Sequence, residues 1–149
     1  MIQRIQSLFL LVIILANICM YIFPIALFNE YTFMLAGVTS NLPLSEIKVP
    51  STLLLIVNNA IIIFIAAVAL FLYKNRMTQV KIVRSGLLLN IVLLIVLFFF
   101  TDDLEKTLQI QPEYSIGAII PILTIPLFYL TMHFINRDEK LVKAADRLR

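Results

Sequence analysis

Four stretches, 5–28, 51–73, 83–100 and 115–135, contain no Asp, Glu, Lys or Arg apart from Arg84, and charged segments separate them. A hydrocarbon core ~30 Å thick is crossed by about 20 helical residues rising ~1.5 Å each, so each stretch has the length of a membrane span. The chain has 149 residues, 61% of them hydrophobic and 14% charged, and its mean hydropathy is +0.99. A soluble domain of this size has no interior large enough for that much apolar surface, so the bilayer is the expected solvent. Leu, Ile, Val and Phe follow one another without the alternation of a membrane barrel, which predicts helices. The third stretch is the shortest and is expected to stand upright or to thin the membrane locally. The first is too long for a signal-peptide core, and no small-x-small cleavage site follows it. It is expected to remain as a span. The single cysteine, Cys19, excludes an internal disulfide and reads as an apolar filler.

Charge sets the orientation. The N-terminal segment carries Arg4, the gap after the second stretch carries Lys74, Arg76, Lys81 and Arg84, and the C-terminal tail carries Arg137, Lys140, Lys143, Arg147 and Arg149. Ten of the twelve basic residues therefore fall on alternate connections, and only Lys48 and Lys106 lie on the other side. The positive-inside rule then predicts a four-transmembrane-helix all-α fold with both termini in the cytoplasm. Six of the nine acidic residues fall on the opposite side. The basic gap "FLYKNRMTQVKIVR" is first an orientation signal and second a surface for anionic lipid headgroups. It is short and has no aromatic interleaving, so nucleic acid is not an expected partner.

Lipid tails are as apolar as Leu, so small residues and side-chain hydrogen bonds must hold such helices together. Ala60 and Ala67 suggest one close-packing stripe; Gly117, Ala118, Pro121 and Thr124 suggest another. Asn17, Asn58, Asn59 and Asn90 are amides in hydrocarbon and are expected to turn inward, with Thr124, as interhelical polar contacts. Counting from the ends places Asn17 and Thr124 near mid-depth, Asn58 and Asn59 in the outer third, and Asn90 nearer the cytoplasm. Pro121 and Pro126 each remove a backbone donor and should bend the fourth helix. In the first extracytoplasmic loop, Tyr31, Phe33 and Leu35 alternate with Thr32, Met34 and Ala36 before Gly37, a pattern for a short β-hairpin. The tail 136–149 reads as helix, with Leu141, Ala145 and Leu148 on one stripe and Glu139 reaching Lys143.

Chemistry-bearing residues are few. His133 has no metal-ligand neighbour in sequence, Asp102, Asp103 and Glu105 read as a solvated acidic loop, and no phosphate loop or nucleophile motif is present. No cofactor, metal or catalytic residue is expected. The spans carry no ionisable group at depth, which argues against an ion-coupled carrier.

Three blocks, "MIQRIQS", "FLYKNRMTQVK" and "RDEKLVKAADRLR", resemble a family of short four-span inner-membrane proteins of Bacteroidetes known only as a domain of unknown function. The likeness runs the length of the chain. It implies a bacterial inner-membrane protein with no activity to carry over, and it puts the shared polar words on the cytoplasmic side. Arg4, Lys74, Asn75, Arg76, Gln79, Arg137, Asp138, Glu139, Lys140 and Arg147 then form an expected docking face for a membrane-protein partner, with Asp138 or Glu139 facing Arg76. The functional expectation is a non-enzymatic accessory or assembly subunit. A small transporter or lipid-binding protein using a cavity between the helices is the alternative, and an intramembrane enzyme comes third.

Overall fold

The computed structural model describes residues 3–40, 51–73 and 75–147, with side chains over 5–40, 51–73 and 75–142. The predicted loop residues 41–50 lie outside the described residues, as do Lys74 and the side chains of Arg4, Lys143, Ala145 and Arg147. Four helices dominate: α1 (Gln3–Cys19), α2 (Leu53–Phe71), α3 (Arg76–Leu108) and α4 (Ile116–Arg147). α2, α3 and α4 are long and apolar enough to cross a membrane, and α1 is a shorter apolar helix. Each packs on two others in a closed ring, α1 on α2, α2 on α3, α3 on α4 and α4 on α1.

The helix limits correct three boundaries. Of the stretch 5–28, only the part up to Cys19 is helical; the rest is a turn and then a strand, β1 (Ala26–Phe28). Pro24 cannot continue the helix, and the last α1 carbonyls are taken by the turn: Tyr21 N–H donates to Ile18 O, and Phe23 N–H to Cys19 O. The third stretch is not the shortest element but the core of the longest, 33 residues or ~50 Å of helix. Asn75 starts it by accepting the Thr78 N–H, and Gln109 in the left-handed region ends it. The charged gaps on either side of 83–100 are therefore mostly helix. The fourth stretch and the tail form one helix through Pro121 and Pro126.

The expected hairpin is part of a larger sheet. β2 (Tyr31–Met34) and β3 (Gly37–Ser40) form it, β1 pairs with β2, and β4 (Glu113–Tyr114) pairs with β1, giving the antiparallel order β3-β2-β1-β4. Ala26 pairs with Phe33 and Phe28 with Tyr31, so Ala26, Phe28 and Phe33 share one face and are buried, while Leu27 points away. The sheet sits where α1 ends and α4 begins. Ser115 N–H donates to Ile25 O and Gly117 N–H to Pro24 O. A Cβ on Gly117 would lie 2.6 Å from that Pro24 oxygen, so only glycine admits this backbone contact.

Buried positions step by four and three in every helix: Gln6, Leu10, Ile13, Asn17 in α1; Leu55, Asn59, Ile62, Ala66, Ala69 in α2; Val83, Gly86, Asn90, Leu93, Leu97 in α3; Gly117, Pro121, Thr124, Phe128, Thr131, Ile135, Asp138 in α4. That repeat keeps one seam of each helix inward, as in left-handed supercoils. It corrects the α2 stripe, because Ala60 is exposed and Ala66 and Ala69 are the small residues on the seam. The small face of α4 does turn inward. Gly86 was not singled out in the sequence, yet a Cβ there would meet Phe128 at 2.9 Å and Ile65 at 3.1 Å.

Candidate functional site

Fully buried amides and hydroxyls are set into an otherwise apolar interior, beneath an apolar exterior. Leu8, Leu11, Leu15, Phe64, Leu88, Ile95, Phe99 and Leu123 are exposed, whereas Asn17, Asn59, Asn90, Thr101, Thr124 and Thr131 are fully buried. Water as solvent would select the reverse. Thr101 and Thr131 need no distant partner, because each donates to a carbonyl one turn earlier in its own helix.

All five expected interhelical groups are inside. Asn90 Nδ2 donates to Pro121 O at 2.9 Å, and the Thr124 hydroxyl stands within reach of both Asn90 Oδ1 at 3.1 Å and Pro121 O at 3.0 Å, sharing its one proton between them, which joins α3 to α4. Asn90 and Thr124 thus share one level, not the two depths that counting from the span ends gave. Asn58 Nδ2 donates across to Leu89 O at 3.3 Å. Asn59 Nδ2 donates to Asn17 O at 3.0 Å. That carbonyl is one of the last four of α1, which have no partner inside the helix, so Asn59 helps terminate α1. The Asn17 side chain stays on its own helix, giving a hydrogen bond to Ile13 O at 2.8 Å. Asn17 lies close to the sheet end, not at mid-depth, because α1 stops two residues later.

At the opposite end the expected docking face divides. Asn75, Arg137 and Lys140 are exposed, and Arg76 and Glu139 are half-buried. Gln79 and Asp138 are instead buried, at 4% and 6% exposure, and belong to the seam. Gln79 Nε2 donates to Ala69 O at 2.8 Å, which satisfies a C-terminal carbonyl of α2 and fixes the α2–α3 turn. Asp138 accepts a hydrogen bond from Gln6 Nε2, tying α4 to the start of α1. Phe9 stacks on Phe134 beside it, with ring centroids 5.7 Å apart.

The helix register explains this layer. Arg76 lies fourteen residues before Asn90 and Asp138 fourteen after Thr124, two heptads each on antiparallel helices, so both return to the same seam ~21 Å away. The direct Arg76–Asp138 contact is not made: Arg76 Nη1 and Asp138 Oδ1 are both buried without a partner.

The sheet end has the other sign. Glu30, Asp102, Asp103, Glu105 and Glu113 gather there, with an exposed Lys106–Asp102 pair at 2.6 Å. The hydrogen bond from Lys106 to Asp102, and then their mutual attraction, hold the ammonium above its usual pKa. Tyr114 stands edge-on to Phe98, and partial burial, then Glu105 and Asp102, push its hydroxyl up. A shallow open hollow of about 330 Å³ lies among Asp102, Glu105, Lys106, Gln109, Ile110 and Gln111. An apolar one of about 340 Å³ lies on Ile95, Phe98, Phe99 and Asp102. Both are at the sheet end of α3. His133 is exposed against Phe134. Among the described residues no group of His, Cys, Asp or Glu is arranged to hold a metal ion.

No curated protein and no solved structure matches the chain. A family model matches it over residues 2–148, and that family is described as a domain of unknown function, DUF4293. The match covers nearly every residue, including all of the second polar block and all but one residue of the first and third. The chain belongs to the DUF4293 family.

Proposed function

We propose that this protein is a multi-pass protein of the bacterial cytoplasmic membrane, a four-helix transmembrane bundle with both termini inside. In this reading it works as a non-enzymatic accessory or assembly subunit. The observation that carries the membrane reading is the belt of exposed Leu, Ile, Val and Phe around an interior in which amides and hydroxyls are fully buried. On α3 the belt runs from Arg84 to Asp102, ~27 Å of helix without a charge, close to the thickness of a hydrocarbon core. α1 completes the fourth crossing together with the apolar turn after Cys19, whose Ile22 and Phe23 are exposed. The basic end lies in the cytoplasm by the positive-inside rule, which leaves the sheet on the outer surface.

The docking face is narrower than the shared polar words suggested. Among the described residues its accessible part is Asn75, Arg137 and Lys140, with Lys81 and Arg84 along α3. Anionic headgroups and an acidic partner segment are the matching chemistries. Gln79 and Asp138 shape this surface from beneath.

Orientation is tested by single cysteines in a Cys19→Ser background. Met77→Cys in intact spheroplasts should resist an impermeant thiol reagent, and Thr39→Cys and Thr107→Cys should react. The reverse pattern would overturn the orientation, and reaction at all three the span count. Affinity purification in mild detergent with mass spectrometry tests the role. A stoichiometric protein partner fits an accessory subunit; a bound lipid or solute instead would favour the transporter or lipid-binding reading.

A further inference from the structure

Two hollows meet at one residue. The apolar one on Ile95, Phe98 and Phe99 and the polar one on Glu105, Lys106 and Gln109 both include Asp102 in their lining, so one continues into the other along α3. They lie on its outward side, because Leu93, Leu97, Thr101 and Leu104 carry the buried seam. The change from apolar to polar falls at Asp102, the first charged residue after Arg84. On the membrane reading proposed above, on which this inference rests, Asp102 marks the outer edge of the hydrocarbon. The apolar hollow then reaches back among acyl chains, and the polar one stands among headgroups. A surface that is apolar on one side of that edge and charged on the other matches a lipid lying along it, chain inward and head outward.

Charge decides which headgroup fits. Asp102 and Glu105 line the polar hollow against one cation, Lys106, and Asp103 and Glu113 belong to the same end. Tyr114 stands edge-on to Phe98, and its hydroxyl is pushed up by burial first and then by Glu105 and Asp102, so an aromatic ring adjoins the two carboxylates. Carboxylates beside an aromatic ring suit an alkylammonium group. An anionic headgroup would meet a surplus of negative charge with only Lys106 in its favour. A zwitterionic head carries both signs. Lys106 and Asp102 form an exposed pair at 2.6 Å, and such pairs are weak in water, so a zwitterion can open it and leave each charge with an opposite neighbour. A bare metal ion is a poorer occupant, since among the described residues no group of His, Cys, Asp or Glu is arranged to hold one. We propose that the joined hollows hold an amine-headed zwitterionic phospholipid of the phosphatidylethanolamine class, with its ammonium at Asp102 and Glu105, its phosphate at Lys106 and a chain along Ile95, Phe98 and Phe99.

The chain has no tryptophan, so Phe99→Trp gives a single fluorescent reporter in the apolar hollow and keeps an aromatic side chain there. Phe64→Trp, at an exposed position on α2 that lines neither hollow, reports from ordinary lipid-facing surface. Each full-length variant is placed in bilayers of phosphatidylethanolamine and phosphatidylglycerol in equal amounts. Brominated chains, which quench tryptophan on contact, are carried first by one lipid and then by the other. At position 99 brominated phosphatidylethanolamine should quench as though enriched several-fold over phosphatidylglycerol, and at position 64 the two should quench alike. Asp102→Asn with Glu105→Gln, both off the packed seam, should make the two lipids equal at position 99 while thermal unfolding stays unchanged. Equal quenching at position 99, a preference there for phosphatidylglycerol, or the same preference at both positions would overturn the proposal. A preference that survives the double substitution would also overturn it. No quenching by either lipid at either position would overturn the membrane reading itself, and the site with it.

Discussion

The two ends of the helical array are closed by different chemistry. At the sheet end most closing bonds are backbone to backbone, Gly117 N–H to Pro24 O, Ser115 N–H to Ile25 O, and the ladder of β1 with β2 and β4, with Asn59 to Asn17 O and Tyr21 to Ile56 O added from side chains. At the basic end they come from side chains: Gln6 to Asp138, and Gln79 to the Ala69 carbonyl. Backbone bonds are available to almost any residue, so the sheet end should tolerate most substitutions and fail at the one position where a Cβ cannot fit. Side-chain bonds are lost by changing one residue, so the basic end should weaken at several places by moderate amounts.

The largest expected effect tests the sheet end. Gly117→Ala drives a Cβ into a backbone oxygen that cannot move without the turn after α1. It should cost about 3 kcal/mol or more, read as unfolding in a mixed-micelle SDS titration. A loss below ~1 kcal/mol would show that this end is not closed by that contact. The basic end follows. Gln6→Leu leaves the buried Asp138 carboxylate without its donor and should cost about 2 kcal/mol. Adding Asp138→Leu should recover most of it, because an apolar pair no longer carries an unpaired group. Failure of that rescue would mean that Asp138 has a second role there.

Gln79→Leu frees one carbonyl at the end of α2 and should cost about 1 kcal/mol, with hydrogen exchange rising at the α2–α3 turn before anywhere else. The smallest effect separates stability from function. Arg137→Ala, on the exposed surface, should change stability by less than about 0.5 kcal/mol while reducing recovery of any cytoplasmic partner or anionic lipid. A large stability loss would instead place Arg137 in the same closing layer as Asp138.

Much of this comparison was legible in the residues. Gly37 and the alternation from Tyr31 pointed to a hairpin, and the opposite charge of the two ends was plain. Sequence counting misjudged α1 and α3 because apolarity and helicity are separate properties. Ile22, Phe23 and Ile25 are as apolar as a span yet lie in a turn, and "RMTQVKIVR" is charged yet helical. The docking face was half legible for a related reason. Polar residues in flanking segments look equivalent in a list, but the seam repeat turns Gln79 and Asp138 in and leaves Arg137 and Lys140 out.

By itself the sequence determined that this protein has helices long and apolar enough to cross a membrane and that its two ends differ in charge, since uncharged run length and the placement of Lys and Arg need no partner. Only the tertiary structure decided which side of each helix faces inward. Lipid and helix interior are equally apolar, so the spacing of Leu and Ile does not distinguish them. The polar residues Gln6, Asn17, Asn59, Asn90, Thr124 and Asp138 break that degeneracy, but each needs a particular neighbour. Asn90 finds Thr124 and Gln6 finds Asp138 only once antiparallel helices have set their register.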